Sequence, residues 1–382
     1  MPNHSWMQEE HRAYGESVAR LFEEEFQPNR ARYTKQGLVD RAFWDKTAAL
    51  GILGATIPEE YGGLGLGREF DAVTLIEQGK AGDSGWGFAV HTIAMHYIIH
   101  NGTEDQKMRF LPRMASGELI GAIAMTEPAT GSDLQAIKTT AKPDGNEYVI
   151  NGSKTFITNG SSADLIIVVA KTDTSEGSKG VSLLIVETKD QAGFSVGRKL
   201  EKLGMKRNDT AELSFDNVRV PRSNLIGDQE GQGFYQLMKQ LPWERLIVGF
   251  TALGASECAL KITLEYVKER TAFGKRIMDF QNTRFKLAEA ATKIELLSAF
   301  LDNCLAELEA GILTPEKAAM AKYWGSDAQC EIVDECLQLF GGYGYMSEYM
   351  ISELYADARV QKIYGGTNEI MKELIARGLD RE

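Results

Sequence analysis

The chain has 382 residues, of which 43% are hydrophobic and 25% charged, the composition of an ordinary globular protein with room for two or three domains. With a formal net charge of −12, the protein lacks the broad positive field that binding to nucleic acid or to an anionic membrane requires. The four cysteines show neither CxxC spacing nor a disulfide framework, so the sequence indicates a reducing compartment.

The first residues, MPNHSWMQEEHR, have no apolar core of a signal peptide and are too acidic for a mitochondrial transit peptide. No run of apolar residues approaches the roughly 18 that a membrane span needs. These features predict a soluble cytoplasmic protein without a membrane span. If a transit peptide has been removed, the predicted location is the mitochondrial matrix.

Residues 1–120 have the pattern of a helical domain. The spacing of apolar side chains predicts helices at 9–26, 38–50, 69–81, 85–100 and 104–115. His96 and His100 are four residues apart, as metal-binding histidines on a helix can be. Because no HExxH pattern and no obvious acidic partner accompany them, we predict no metal site.

The pattern changes at Ile120 to short apolar and alternating runs, which predict a β domain over 121–230. Within the alternating segment EYVINGSKTFITNG, the pair Asn151-Gly152 predicts a hairpin turn. Helical periodicity resumes at Gly233 and continues to the end of the chain. The fold class is therefore α+β multidomain, with helical domains at 1–120 and 231–382 around the β domain.

The longest predicted helix covers 243–270, with Pro242 in its first turn and Gly274 as a stop signal. Near its start, Glu244 and Arg245 lie among apolar residues. A carboxylate in apolar surroundings is a candidate base, because loss of hydration raises its pKa towards neutrality. A Glu–Arg pair in a helix is nevertheless more often a packing or surface ion pair, so the pattern alone favours a structural role.

Three Gly-rich segments allow close approach of the backbone to a ligand, although each also fits an ordinary turn. MTEPATGSD at 125–133 offers N–H groups and hydroxyls, and GGYGY at 341–345 suits a pyrophosphate. IYGGTNEI at 363–370 places Thr367 at a predicted helix N-cap, where an anion is favoured. No GxGxxG follows a strand, so a Rossmann site is not predicted.

Taken together, these segments resemble the acyl-CoA dehydrogenase family. MTEPATGSD, NGSKTFITNG, RTAFGK, QLFGGYGY and IYGGTNEI occur in the order and spacing of that family, and the resemblance covers essentially the whole chain. It is closest to the long-chain branch, particularly in NDTAEL, ERL, MAKYW and IYGGTNEIMKELIAR. The resemblance implies an N-terminal helical domain, a middle β domain of antiparallel sheets and a C-terminal four-helix bundle.

The resemblance also implies an activity. Members bind FAD and oxidise acyl-CoA to trans-2-enoyl-CoA in fatty acid oxidation. A carboxylate removes the Cα proton while Cβ delivers hydride to flavin N5. Electrons then usually pass to an electron-transfer flavoprotein.

Many members carry the base just before the Gly-Thr of the last motif, where this chain has Gly365. The long-chain and isovaleryl branches share this departure and place the base in the ERL motif, so the resemblance assigns it to Glu244. It further implies that the backbone N–H of Gly365 stabilises the developing enolate oxygen, and that Arg245 helps to position the thioester end.

Ligand contacts follow from the same resemblance. Those implied for the flavin are Met125, Thr126, Gly131, Ser132, Phe156, Thr158, Thr367 and Glu369. Those implied for the pyrophosphate and adenosine parts are Arg270, Phe273 and Gln281, joined by Gln338, Gly341 and Gly342 of a neighbouring subunit. Substrate contacts are implied for Ser132, Tyr364 and Arg377, besides Arg245. A cofactor shared between chains implies a homo-oligomer, typically a tetramer.

The acyl-chain length of the preferred substrate follows less directly from the sequence. The resemblance favours long or branched acyl groups, with 85–100 forming the pocket floor and the small residues Ala89 and Ala94 leaving depth.

Two other functions remain open on the sequence. An acyl-CoA oxidase passes electrons to oxygen, but such oxidases usually carry an extra C-terminal domain, whereas this sequence ends at Glu382. A non-catalytic relative that binds flavin or CoA would require an inert Glu244. DNA-associated relatives carry a basic C-terminal extension, and the net charge of −12 disfavours that role.

Overall fold

The computed structural model describes residues 4–380, in which helices precede and follow a β sheet. This order confirms the predicted fold class. The N-terminal helices are α1 (Glu9–Leu21), α2 (Arg30–Gln36), α3 (Arg41–Ala49), α4 (Arg68–Lys80), α5 (Phe88–Asn101) and α6 (Glu104–Ala115). A π-helical turn, Phe22–Phe26, continues α1. Thr103 caps α6 by accepting a hydrogen bond from the Gln106 backbone N–H.

The middle of the chain forms one seven-stranded sheet, in the order β1-β4-β2-β3-β7-β6 with β5 beside β4. Its strands are β1 (Gly121–Ala124), β2 (Thr140–Asp144), β3 (Glu147–Thr158), β4 (Leu165–Lys171), β5 (Val181–Glu187), β6 (Phe194–Lys199) and β7 (Thr210–Pro221). Most pairs are antiparallel, but β1 and β2 both run parallel to β4. The resemblance implies antiparallel sheets, and the structure has instead one mixed sheet in which antiparallel pairs predominate.

The hairpin turn expected at Asn151-Gly152 is absent, since β3 runs through both residues with an irregularity in its pairing to β7. A Cβ built on Gly152 would lie 2.3 Å from Thr139 Oγ1. The glycine therefore permits a close approach within the sheet. The turn between β2 and β3 is instead made at Gly145, whose φ is +59°.

The C-terminal region is a bundle built around one long helix, α7. Its helices are α7 (Gly233–Glu269), α8 (Gln281–Glu309), α9 (Pro315–Phe340), α10 (Met350–Gln361) and α11 (Asn368–Leu379). A short hairpin of β8 (Thr271–Ala272) and β9 (Lys275–Arg276) joins α7 to α8. The boundaries predicted near 120 and 230 between the three domains stay predictions.

Helix α7 begins ten residues before the predicted start, so Pro242 lies inside it. The prediction was wrong because buried contacts upstream, at Gly233 and Leu237, outweigh the local cost of the proline. The helix ends at Glu269, and Gly274, with φ +76°, forms the turn of the β8–β9 hairpin instead of the helix stop.

By length and composition alone, α7 is apolar enough to cross a membrane: its best 18-residue window has a mean hydropathy of 1.4. This measure averages over a window that tolerates charged residues, so it differs from the uninterrupted apolar run considered in the sequence. In this structure 78% of that window is buried by the rest of the protein. A helix that is apolar on all sides suits the centre of a large core.

Helices α4 and α7 meet backbone to backbone. A Cβ on Gly254 would lie 2.3 Å from the Ile76 carbonyl oxygen, and one on Gly79 would lie 2.9 Å from Gly254 Cα. Only glycine allows this approach at both positions. The contact fixes the N-terminal helices against the helix that carries Glu244.

We predict that Gly254→Ala lowers the free energy of unfolding by roughly 1–3 kcal/mol or more, because the added methyl group overlaps the α4 backbone. The matched control is Gly342→Ala, whose methyl group meets no atom within 4 Å. Thermal unfolding of both variants and the wild-type protein measures the effect. Equal melting temperatures for the two variants would contradict the close approach.

Candidate active site

Glu244 lies on α7 with only 9% of its surface exposed, next to the buried Trp243 and near the buried Ile247. Tyr97 of α5 donates a hydrogen bond of 2.7 Å to Glu244 Oε1. Burial raises the pKa of Glu244 to about 7, although the Tyr97 hydrogen bond and the positive charge of Arg245 both act to lower it. At neutral pH this carboxyl group can therefore both accept and release a proton.

Arg245 is also buried, and its Nη1 donates a hydrogen bond of 3.2 Å to the Pro315 carbonyl oxygen at the start of α9. Burial lowers the pKa of Arg245, while the negative charges of Glu244 and Glu316 act to raise it. Within residues 4–380, its Nε has no hydrogen-bond partner. Such a buried donor suits a ligand or an ordered water.

A cavity of about 590 Å³ lies between the edge of the sheet and the loop that joins α10 to α11. Residues singled out in the sequence that line it are Thr126, Gly131, Ser132, Phe156, Thr158, Tyr364, Gly365 and Thr367. Glu244 is not among the lining residues. A Cβ on Gly365 would lie 3.6 Å from Val248, one helical turn after Glu244. The loop thus packs on α7 beside the turn that bears the carboxylate.

Two features of this cavity suit a flat aromatic ligand. Phe156 has a left-handed backbone, with φ +60°, and 67% of its surface is exposed. A bulky residue in this strained conformation with its ring uncovered indicates a functional constraint. Gly365 and Gly366 have φ of +64° and +89°, so the loop exposes backbone where other residues would be strained.

Lys154 supports the loop at 125–133, which lines one side of the cavity, and no sequence pattern predicted this role. Its buried Nζ donates to the Met125 carbonyl oxygen at 3.0 Å and to Glu127 Oε1 at 2.9 Å. The Glu127 carboxylate also accepts hydrogen bonds from the backbone N–H groups of Lys138 and Thr139. Burial lowers the pKa of Lys154 to about 8, while Glu127 acts to raise it.

Lys322 supports the opposite loop in the same way. From α9, its buried Nζ donates to the Gly366 carbonyl oxygen at 2.7 Å and to Asn368 Oδ1 at 2.9 Å. Thr367 Oγ1 accepts a hydrogen bond from the Ile370 N–H, which confirms the predicted helix N-cap. Both lysines lie in segments that carry the family resemblance, Lys154 in NGSKTFITNG and Lys322 in MAKYW.

A second cavity, of about 630 Å³, gathers another group of singled-out residues, namely Arg270, Gln338, Gly341 and Gly342. The guanidinium carbon of Arg270 lies 5.6 Å from the ring centre of Tyr343. Phe273, at the tip of the β8–β9 hairpin, has φ +51° and is 96% exposed. Gln281 is the exposed first residue of α8. Within one chain, Arg270, Gln338, Gly341 and Gly342 thus line a cavity of their own, whereas Phe273 and Gln281 are not among its lining residues.

The remaining singled-out residues lie outside both cavities. Arg377, near the end of α11, is exposed and pairs with Glu373 at 2.7 Å. Glu369 is exposed in the first turn of α11, and Met125 is partly buried with its carbonyl oxygen bound by Lys154. The structure of this chain therefore does not bring Arg377 to the cavity.

The histidines of α5 make local contacts. His96 Nε2 lies 3.3 Å from Asp71 Oδ2, so it has an acidic partner that the sequence analysis did not foresee. The His91 Nδ1 accepts a hydrogen bond from the Gly121 N–H. Within residues 4–380, no group of three or more metal-binding side chains comes together.

Comparison with known proteins places this arrangement among the oxidoreductases that act on acyl-CoA. Family models for the N-terminal, middle and C-terminal domains of acyl-CoA dehydrogenases match residues 8–118, 122–218 and 231–379. The long-chain specific acyl-CoA dehydrogenase of Sus scrofa mitochondria is 49% identical over 371 residues, which cover 96% of this chain and 86% of that protein. The chain belongs to the acyl-CoA dehydrogenase family, as the resemblance predicts.

Solved structures agree with this membership. An acyl-CoA dehydrogenase from Geobacillus kaustophilus superposes with a TM-score of 0.95 at 45% identity, covering 99% of this chain and 100% of that one. A glutaryl-CoA dehydrogenase from Mycobacterium smegmatis, solved in complex with FADH2, superposes with a TM-score of 0.91 at 28% identity, covering 98% of this chain and 96% of that one.

We predict that Glu244→Gln stabilises the protein at pH 8 by up to roughly 3 kcal/mol, because the folded state has a pKa of about 7 and the unfolded carboxyl group ionises near 4.5. Between these two values the native state binds more protons than the unfolded state. Stability of the wild-type protein therefore falls as pH rises through this range, whereas Gln has no charge to bury.

Thermal unfolding between pH 4 and pH 8 measures this difference, which should vanish at the acidic end. Glu230→Gln is the control, since Glu230 also accepts a tyrosine hydrogen bond but is exposed to solvent. A pH-independent difference between Glu244→Gln and the wild-type protein would contradict the raised pKa.

Proposed function

We propose that this chain is an FAD-dependent acyl-CoA dehydrogenase that converts an acyl-CoA to the trans-2-enoyl-CoA, with Glu244 as the general base. The observation that carries the proposal is a buried carboxylate with a pKa of about 7 on a helix that packs against the glycine loop of the cavity. Family membership supports the reaction class.

The cavity residues fit FAD. Phe156 offers an uncovered ring for stacking, while Thr126, Thr158 and Thr367 offer hydroxyl groups around the same cavity. The relative solved with FADH2 supports this choice of cofactor. When bound, FAD would supply the acceptor for the hydride that leaves the substrate Cβ.

Glu244 takes the proton from the substrate Cα in this proposal. Gly365 leaves room beside α7, because the atom nearest to its missing Cβ is Val248 at 3.6 Å. The Gly365 N–H stabilises the developing enolate oxygen, and Lys322 holds the loop through the neighbouring Gly366 carbonyl group. Arg245, with its unpaired Nε, assists at the thioester end.

The proposed substrate is a long-chain or branched acyl-CoA. The name of the Sus scrofa relative supports long chains. Ala94 of α5 is fully buried and packs in the core, 3.0 Å from the position of a Cβ built on Gly121, so the choice of acyl length rests on that name. Tyr364 lines the cavity with its hydroxyl group bonded to Gln361 Oε1 at 2.7 Å, and Ser132 lies exposed at the cavity rim.

The proposed assembly is a homo-oligomer, typically a tetramer. The resemblance assigns Arg270 to one subunit and Gln338 to a neighbouring one, but both line the same cavity of a single chain, together with the glycines that follow α9. In this proposal they therefore contact the same end of a cofactor. Since they lie apart from the first cavity within one chain, that cofactor would be held by two copies. The strained, exposed ring of Phe273 beside them supports an interface there.

Electrons would pass to an electron-transfer flavoprotein. The competing acyl-CoA oxidase shares every earlier step and differs only in using oxygen as the acceptor. The Sus scrofa relative is described as mitochondrial, and the cytoplasmic location stays a prediction.

We expect anaerobic palmitoyl-CoA to bleach the flavin absorbance of the FAD-loaded protein faster than octanoyl-CoA does. Glu244→Gln should retain FAD, but its bleaching rate should fall by a factor of at least roughly 10³, because no other base replaces the carboxylate. Glu230→Gln serves as the control. If Glu244→Gln bleaches at the wild-type rate, Glu244 is not the base.

We also expect kcat/KM to fall below pH 7, because protonated Glu244 cannot accept the substrate proton. The midpoint of this acid limb should lie near the pKa of the free protein, about 7. Initial rates at low substrate concentration between pH 5.5 and pH 9 measure it. An activity that is flat across this range would exclude Glu244 as the titrating base.

A further experiment separates the two acceptors. After anaerobic reduction, the dehydrogenase proposal expects fast reoxidation by an electron-transfer flavoprotein and slow reoxidation by air. Fast reoxidation by oxygen with hydrogen peroxide as the product would instead establish an oxidase.

A further inference from the structure

Tyr97 lies on α5, in the N-terminal part of the chain, and its side chain is completely buried. Its hydroxyl donates a hydrogen bond of 2.7 Å to Oε1 of Glu244, which is 147 positions away in the sequence. No sequence motif assigns a role to this tyrosine. The contact joins α5 to α7 at the carboxylate on which the proposed chemistry depends.

The two carboxylate oxygens of Glu244 have different surroundings. Oε1 accepts the Tyr97 hydrogen bond, whereas Oε2 makes no hydrogen bond within residues 4–380. Glu244 as a whole keeps 9% of its surface exposed. One oxygen is therefore fixed and the other is free to meet a ligand.

Few charged or titratable groups face this carboxylate. Tyr97 approaches from α5, and Arg245 is its neighbour on α7. From α9, Glu316 and Lys322 act on Arg245 and not directly on Glu244. Tyr97 is therefore the hydrogen-bond donor that a packed helix supplies to the carboxylate.

We propose that Tyr97 is a positioning residue for Glu244, whose hydroxyl holds Oε1 so that Oε2 receives the substrate Cα proton. The inference rests on the proposed function of Glu244. In this step the Cα–H bond breaks, an Oε2–H bond forms, and the electron pair of the broken bond stays on the substrate. Tyr97 keeps its own proton throughout, because burial and the adjacent carboxylate raise the pKa of its hydroxyl well above the usual value.

This role has two measurable consequences. A donor to the ionised carboxylate favours the charged form, so loss of the hydroxyl raises the pKa of Glu244 further. Loss of the hydroxyl also lets the carboxylate rotate, which removes the alignment of Oε2 with the substrate. A tyrosine that only filled space would produce neither effect when replaced by phenylalanine.

The test compares Tyr97→Phe with Tyr148→Phe in the FAD-loaded protein. Tyr148 is a matched control, since it is also buried and donates to a carboxylate, Glu230 Oε1 at 2.6 Å, away from the cavity. With palmitoyl-CoA, Tyr97→Phe should move the acid limb of kcat/KM to higher pH by about one unit. It should lower kcat about tenfold above that limb, while KM stays within about twofold. Tyr148→Phe should follow the wild-type profile.

A second variant keeps the test decisive if Tyr97→Phe does not fold. Site-specific 3-fluorotyrosine at position 97 keeps the ring and hydroxyl but makes the hydroxyl a stronger donor. The acid limb should then move to lower pH. FAD content and the melting temperature establish that each variant is folded.

The outcomes distinguish this inference from the proposed function. If Glu244→Gln is inactive and neither Tyr97 variant moves the acid limb, Glu244 is the base and the positioning role of Tyr97 is overturned. If Glu244→Gln keeps wild-type activity, the proposed function itself fails. Opposite shifts for phenylalanine and 3-fluorotyrosine, with no shift for Tyr148→Phe, support the positioning role.

Discussion

The enclosure of helix α7 by the rest of the protein is the constraint on which the site depends. On an exposed helix Glu244 would be an ordinary solvated carboxylate, ionised at every physiological pH. Because neighbouring elements enclose α7, Glu244 is shielded from water, and this burial raises its pKa to about 7 although the Tyr97 hydrogen bond acts to lower it. Burial of this carboxylate lowers the stability of the fold at pH values where the group is ionised. Such a cost is common for groups that are prepared for proton transfer.

Two buried lysines stiffen the loops on either side of the cavity. An ammonium group removed from water is costly unless every proton finds an acceptor. Lys154 meets the Met125 carbonyl oxygen and the Glu127 carboxylate, and Lys322 meets the Gly366 carbonyl oxygen and Asn368. Because each ammonium binds a loop carbonyl group, the loops are held in one conformation by groups that lie behind them, on β3 and α9.

The strained backbone conformations of two phenylalanines occur where ligand or subunit contacts are proposed. Phe156 and Phe273 both have left-handed backbones and uncovered rings, a combination that an isolated chain would not favour. One ring lines the first cavity, and the other stands at the tip of a hairpin near the second. The strain of each would be offset by contacts that lie outside a single chain: cofactor for Phe156 and a second copy for Phe273.

The sequence by itself determined the order of helices and sheet, the cap at Thr367 and the apolar setting of Glu244, because periodicity, capping and local composition act over a few residues. It failed at Pro242 and at Gly152, where the local signals for a helix start and a turn were overruled by buried contacts with other elements. Only the tertiary structure decided which groups meet Glu244 and Gly366. Tyr97 and Lys322 reach them from 147 and 44 positions away, and no local pattern encodes a pairing across such distances.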